Sequence, residues 1–193
     1  MIPARLVLAT GNPGKVAELS ALVGEWGRVE VLPLTGVALP EEGEDSYAMN
    51  AITKARAVAI ATGLPALADD SGLEVDALGG GPGVRSARYA DTDAGRVQRL
   101  LTALRDVAGA GRRARFRCVV ALAWPDGRVE TAEGTCEGRI AETPEGAGGF
   151  GYDPVFVADE LGRTLAAVPP AEKERVSHRA RAVRALGAGL RDV

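Results

Sequence analysis

Apolar positions along the chain switch between a two-residue and a roughly 3.6-residue period, and the switches divide it into elements. Residues 5–10 and 29–33 read as strands and 15–26 between them as a helix, a βαβ opening. An acidic stretch, Pro40-Glu41-Glu42-Gly43-Glu44-Asp45, precedes a long helix over 46–62, with Asp45 or Ser46 as N-cap and Gly63 just past its end. On that helix Asn50 and Lys54 share a face, while Tyr47, Ala51, Ile52, Ala55 and Ala59 can cover a core. Taken alone, Lys54 reads as a solvated lysine. Strand-like 66–68 and 72–78 are joined by Asp69-Asp70-Ser71, and a helix over 93–107 follows, capped by Thr92 or Asp91. Residues 115–124 and 128–140 flank the turn Pro125-Asp126-Gly127, which predicts a long antiparallel hairpin. A glycine-rich loop over 146–152, a short strand over 154–157 and a terminal helix over 177–190 complete the pattern. No repeat or linker interrupts it, so the expectation is one domain over 1–193, α/β with a mixed sheet.

Composition narrows the function. A formal net charge of -3 and aromatics at 4% argue against a nucleic-acid polymer as partner, which needs a basic face or a stacking platform. No apolar run reaches membrane-span length and no leader pattern opens the chain, so it reads as cytoplasmic, with no membrane partner. Cys118 and Cys136 lie in separate strand-like runs and read as small core residues in a reducing compartment. One histidine and two distant cysteines leave no ordinary zinc site, so any metal is held by oxygens, which favours Mg²⁺.

Thr10-Gly11-Asn12-Pro13-Gly14-Lys15 stands between the first strand and the first helix. A strand, a glycine-containing loop and a helix N-terminus aim N–H donors and the positive end of the helix dipole at one point, and Lys15 adds a full charge. The same six residues also read as an ordinary turn capped by Asn12. A Walker loop is excluded, because Ala9 and Val16 stand where it needs glycine and Ser or Thr. Gly79-Gly80-Gly81-Pro82-Gly83 opens no helix where a dinucleotide fingerprint requires one, and reads as a flexible turn or the rim of a site.

Asp69-Asp70-Ser71-Gly72 is the second chemical feature. Two adjacent carboxylates cannot both enter a core, and loops at the carboxyl ends of α/β strands collect ligands. One can bind metal while the other orients water or a lysine; the alternative is an Asp turn closed on its own backbone. In Gly148-Gly149-Phe150-Gly151-Tyr152-Asp153-Pro154, Phe150 can stack on a flat base and Asp153 can accept from its ring N–H groups, unless the aromatics only pack at a strand start. Lys173 and Ser177-His178-Arg179 near the last helix would singly be solvated charge and a cap.

Together the segments T-G-N-P-G-K from Thr10, A-D-D-S-G-L from Ala68, G-G-x-P-G-V-x-S-A-R-Y from Gly79, G-G-F-G-Y-D-P from Gly148 and E-K-x-x-V-S-H-R from Glu172 occur in a telling order. Spanning nearly the whole chain, they resemble the inosine triphosphate pyrophosphatases, the Ham1-like family, in its bacterial dITP/XTP pyrophosphatase form. The resemblance implies hydrolysis of deaminated purine nucleoside triphosphates (ITP, dITP, XTP) to monophosphate and pyrophosphate, cleansing the nucleotide pool. It also implies Mg²⁺, a homodimer, and a two-lobed α/β fold with a strongly twisted mixed sheet, flanking helices and the site in the cleft. Carried onto this chain, it gives Thr10, Gly11, Asn12, Pro13, Gly14 and Lys15 to the phosphates, with Lys54 assisting. Asp70 becomes general base and metal ligand, supported by Asp69, and Glu41 the second metal carboxylate. Ser71, Phe150, Gly151, Tyr152, Asp153, Lys173, His178 and Arg179 would bind substrate.

One position departs from the family. A glutamate commonly precedes Asn50, and here Met49 does, whose thioether suits soft metals rather than Mg²⁺. Either that carboxylate is dispensable or Glu41, Glu42, Glu44 or Asp45 supplies the charge. The rival readings are a Maf-like pyrophosphatase of other modified or pyrimidine triphosphates and a non-catalytic nucleotide- or RNA-binding module. The glycine-aromatic and S-H-R segments oppose the first. Bare paired carboxylates, which repel phosphate without a metal, oppose the second.

Overall fold

The computed structural model describes residues 1–44 and 46–191; Asp45, one of the two expected caps and one candidate source of charge, lies outside them. Seven strands, β1 (Arg5–Leu8), β2 (Glu30–Leu32), β3 (Ala66–Val75), β4 (Arg113–Ala123), β5 (Val129–Ile140), β6 (Phe156–Ala158) and β7 (Arg163–Thr164), make one sheet in the order β2-β1-β3-β4-β5-β6-β7. The helices are α1 (Pro13–Gly24), α2 (Tyr47–Thr62), α3 (Asp93–Ala103), α4 (Pro170–Val176) and α5 (His178–Arg191). β1 runs parallel to β2 and β3, whereas β6 is antiparallel to β5 and β7, so the sheet is mixed as expected. Among the described residues no helix is long and apolar enough to cross a membrane.

The chain forms two compact units. The first comprises 1–70, 118–134 and the segment from His178. Its core sets Leu6, Leu8 and Leu67 of the sheet against Leu19, Leu22 and Val23 of α1 and Ala182, Val183 and Leu186 of α5. From β1 the chain crosses to β2 on one side and returns past it to β3 on the other, all three parallel, and crossovers of one hand send α1 and α2 to opposite faces. Local signals set the helix ends: Ser46 Oγ accepts from the Met49 N–H at 3.3 Å, and Gly63 closes α2 at φ +68°. A side chain at Gly134 would run into the His178 carbonyl, so glycine lets β5 pass close to the start of α5.

The second unit comprises 71–117 and 135–177. Its core joins Leu73 and Val75 of β3 to Val97 and Leu100 of α3, with Phe116, Ile140, Tyr152, Phe156 and Val176. Phe116 and Phe156 pack with ring centroids 4.6 Å apart. Arg112 is buried and donates to four carbonyls, those of Leu104, Val107, Ile140 and Ala141, at 2.8 to 2.9 Å.

Several expectations need correction. β3 is one unbroken ten-residue strand through Asp69-Asp70-Ser71, not two strands and a loop. The carboxylates find cations on both sides, so the chain has no need to bulge them into solvent. α3 stops at Ala103, four residues short of the expected end, where Arg112 takes over the carbonyls of Leu104 and Val107. The short strand sits at Phe156–Ala158 rather than 154–157, and α4 and β7 went unpredicted because seven and two residues are too short to show a period.

Candidate active site

In the first unit the charged residues converge on β3. Successive strand residues face opposite sides of a sheet, so Asp69 and Asp70 divide between its faces. Asp69 shares the face of Leu67, under α1 and α5, and Asp70 turns to α2.

The Asp69 side chain is fully enclosed. Its Oδ2 accepts from Lys15 Nζ at 3.0 Å and from Arg179 Nε and Nη2, each at 3.1 Å, and Arg179 Nη1 also donates to Glu18. Burial alone would push this carboxyl up, but Lys15, Arg179 and Lys54 together hold it well below the usual carboxylate range. Arg179 is enclosed too, and although burial works against its charge, Asp69, Cys118 and Glu18 raise its pKa.

Asp70 is supplied differently. Asn50 Nδ2 donates to its Oδ2 at 2.9 Å, while Lys54 Nζ lies 3.6 Å from its Oδ1 and donates to the Asp69 carbonyl at 2.8 Å and to Glu42 Oε1 at 2.5 Å. Burial pushes the Asp70 pKa up against the pull of Lys54 and Asn50, and the Glu42 charge adds to the rise. Lys54 is buried rather than solvated; desolvation would lower its pKa, yet Asp69, Asp70 and Glu42 raise it. Asn50 also fixes the acidic loop, accepting from the Gly43 N–H at 2.8 Å and donating to the Gly43 carbonyl at 3.1 Å.

In the second unit the glycine-aromatic segment folds on Asp153, whose Oδ2 accepts from the Phe150 N–H at 2.9 Å and from Lys173 Nζ at 2.6 Å. The Lys173 ammonium stands 4.9 Å from the Phe150 ring centroid. Gly149 adopts φ +69°, and a Cβ there would collide with the Asp153 carboxylate, so this turn requires glycine. The Gly151 N–H donates to Asp93 at 2.8 Å and Tyr152 Oη to the Ser86 carbonyl at 2.9 Å.

The remaining expected residues lie as follows. Asn12 caps α1 by accepting from the Lys15 N–H at 3.2 Å, and Thr10 Oγ1 accepts from the Asn12 N–H, so the turn is at once a capped helix start and the mount of Lys15. Gly11 and Pro13 are exposed and Gly14 half-buried in the same turn, Ser71 is half-buried in β3, and His178 is buried as the first residue of α5. Glu41 is exposed, and the loop carboxylate that meets Lys54 is Glu42. Met49 points outward at 60% exposure.

The Ham1 family model matches residues 6–188. The chain belongs to the Ham1 family. The dITP/XTP pyrophosphatase of Thermus thermophilus is 52% identical over 192 residues, covering 97% of this chain and 92% of that one. That of Yersinia pestis is 48% identical, covering 97% and 98%. Among solved structures, a HAM1 protein from Coxiella burnetii superposes with a TM-score of 0.84 at 41% identity, covering 98% of this chain and 99% of that chain. A nucleoside-triphosphatase / dITP/XTP pyrophosphatase from Mycobacterium abscessus gives 0.74 at 44% identity, covering 94% and 97%.

Within this Ham1 fold, three polar partners of the charged cluster were not among the expected site residues. Glu18 lies one helical turn after Lys15, a spacing that offered a signal. Asn50 was visible as the residue one turn before Lys54, and Glu42 as one of four candidate acids. Asp93 carried no signal, because its partner Gly151 lies 58 residues away.

Proposed function

We propose that the protein, acting as one catalytic domain over 1–193, hydrolyses deaminated purine nucleoside triphosphates (dITP, ITP and XTP) to the monophosphate and pyrophosphate, with Mg²⁺ as cofactor. The observation that carries this reading is the buried Asp70 carboxylate, held by Asn50 at 2.9 Å with the Lys54 ammonium 3.6 Å away. Relatives at about half identity that bear the name dITP/XTP pyrophosphatase support the substrate class.

Asp70, buried and held by Asn50 beside Lys54, takes the proton from the attacking water. The water oxygen bonds to the α-phosphorus, the bond to the bridging oxygen breaks, and pyrophosphate leaves with the electron pair. Lys15, the turn from Thr10 to Gly14 and Lys54 offset the charge collecting on that leaving group. Asp69 holds Lys15 in place and stays ionised throughout.

The residues fit a hard divalent cation. Asp70 and Glu42 turn oxygens toward one ammonium, and Mg²⁺ takes one or two carboxylates with the rest of its shell from water and phosphate. Asp70 and Glu42 would hold it, with Glu41 adjacent on the same loop, and the ion would supply Lewis-acid stabilisation of phosphate charge. In this reading Glu42 would supply the charge of the glutamate that Met49 replaces.

In the second unit, Phe150 stacks on the base within the turn made by Gly151, Tyr152 and Asp153. Lys173, oriented by Asp153, donates to the 6-oxo group. Adenine presents an amino donor there, and a donor facing a donor in an enclosed site can cost a factor of about 10⁴. Ser71, His178 and Arg179 complete the substrate residues, Arg179 through its hold on Asp69. A cytoplasmic location belongs to the same proposal, as does the homodimer that the family likeness implies, the latter tested by light scattering.

The test is pyrophosphate release from dITP, XTP, ITP, ATP, GTP and dTTP, each with and without Mg²⁺. Release confined to the first three and dependent on the metal is expected; preference for dTTP, or binding without turnover of any, would overturn the reading. Asp70→Asn is expected to bind dITP and lose nearly all turnover.

A further inference from the structure

We propose that Asp93 is a positioning residue that fixes the loop over 148–153 and thereby sets affinity for the base end of the nucleotide, an inference that rests on the stacking role given to Phe150. Asp93 begins α3, but the cap of that helix is Thr92, whose Oγ1 accepts from the Gly95 N–H at 3.0 Å. The two oxygens of Asp93 serve other ends. Oδ1 accepts from Arg96 Nη1 at 2.5 Å, and Oδ2 accepts from the Gly151 N–H at 2.8 Å.

Three consecutive residues of the loop are each tied to a different partner. Phe150 is bonded through its N–H to Asp153, Gly151 through its N–H to Asp93, and Tyr152 through its hydroxyl to the Ser86 carbonyl. The first tie lies within the loop, and the other two reach the segment from Ser86 to α3. That segment is itself braced. Ser86 Oγ accepts from the Leu73 N–H at 2.8 Å and donates to the Gly83 carbonyl, Arg96 Nε donates to the Ala90 carbonyl at 3.0 Å, and Arg99 Nη1 donates to the Tyr89 carbonyl at 2.7 Å. This gives a role to the G-G-x-P-G-V-x-S-A-R-Y segment, which no chemistry had claimed.

Phe150 sits between two glycines at φ +69° and +62°, Gly149 and Gly151. Glycine leaves the peptide plane free to turn, so the ring direction depends on what holds the flanking amides. Without Asp93, the Phe150–Gly151 peptide loses its shorter tie and keeps only the bond from the Asp153 N–H to the Phe150 carbonyl at 3.3 Å, which lies within the loop. Asp93 is half exposed, so the bond is worth about what one solvated hydrogen bond is worth, roughly fivefold in an equilibrium.

The experiment compares Asp93→Ala, Asp93→Asn and Phe150→Ala. Asp93→Ala is expected to raise KM for dITP and Kd for the nucleoside monophosphate about fivefold, with kcat within about twofold and inhibition by inorganic pyrophosphate unchanged. Hydrogen exchange at the Gly151 amide should quicken. Asp93→Asn keeps an oxygen that can accept from Gly151 and is expected to stay within about twofold of wild type. The proposal is overturned if Phe150→Ala raises KM and Asp93→Ala does not, or if Asp93→Asn behaves as Asp93→Ala, which would make the effect one of charge at the helix start. A loss shared by kcat, KM and Tm would also overturn it, by making Asp93 merely structural. Should Phe150→Ala leave KM unchanged, the stacking role is what fails, and Gly151 exchange then decides separately whether Asp93 holds the loop.

Discussion

Replacing Arg179 with methionine removes a cation from the most enclosed part of the charged cluster while keeping much of its volume. Arg179 is 2% exposed and gives two N–H groups to Asp69 at 3.1 Å, so the change leaves a buried carboxylate leaning on Lys15 at 3.0 Å. A unit pair about 4 Å apart at an effective dielectric of about 20 is worth about 4 kcal/mol. Breaking a buried pair from one side costs about 3–5 kcal/mol, and the lower figure applies here because Lys15 and Lys54 remain. Asp69→Asn should cost a similar amount by leaving the guanidinium to Glu18. The double substitution should cost less than the two singles together by about 2 kcal/mol, since the second change removes a charge already stranded by the first. Urea unfolding at a common m-value measures all four corners of this cycle. Additivity within about 0.5 kcal/mol would refute the coupling. A second readout bears on function: with Arg179 engaged by Asp69 and Glu18, kcat/KM should fall alike for dITP and dATP. A collapse of their ratio would instead place Arg179 on the base.

Two further outcomes test the cluster from other sides. Lys15→Ala is expected to weaken triphosphate and pyrophosphate binding about tenfold and monophosphate binding far less, since the proposed orientation puts only the charge of the former beside the first turn of α1; equal loss in calorimetric titration would contradict that orientation. Cys118 is fully buried, and burial first, then the Asp69 charge, push its thiol up to about 12. The unfolded thiol titrates at about 8.5, so the stability it contributes is present below that pH and lost as pH rises toward the folded value. Native protein at a pH of about 8 should therefore resist thiol reagents at Cys118 and react once denatured; fast modification of the native chain would contradict its burial.

Much of this was legible in the residues because the signals are local. Asn12, Ser46 and Thr92 cap the helices they precede, Gly63 ends α2 in a left-handed turn, and Pro125-Asp126-Gly127 marks the hairpin that the Trp124 N–H closes on the Arg128 carbonyl at 2.9 Å. Lys15, Lys54, Asp69, Asp70 and Arg179 were all singled out and do meet in one cluster. What stayed hidden depends on pairings far apart in the chain. Glu18 meets Arg179 across 161 positions, and a carbonyl clamp such as that of Arg112 leaves no mark at all in residue types. The unbroken course of β3 was missed for a related reason: two aspartates in a row read as a break until the cations that neutralise them are known.

That unbroken course is what gives the two aspartates different work. In a loop, both side chains could turn the same way and compete for the same ammonium groups. In a strand the alternation forces them apart. Asp69 faces the side where α1 and α5 deliver Lys15 and Arg179, so its charge is more than matched and its pKa falls despite burial. Asp70 faces α2, where a single lysine is shared with Glu42, and burial wins. Neighbouring carboxyls with pKa values pushed in opposite directions suit the roles proposed for them, Asp69 holding charge and Asp70 moving a proton. A one-residue shift in the register of β3 would exchange the faces, giving the matched charge to Asp70 and leaving Lys15 without its anchor.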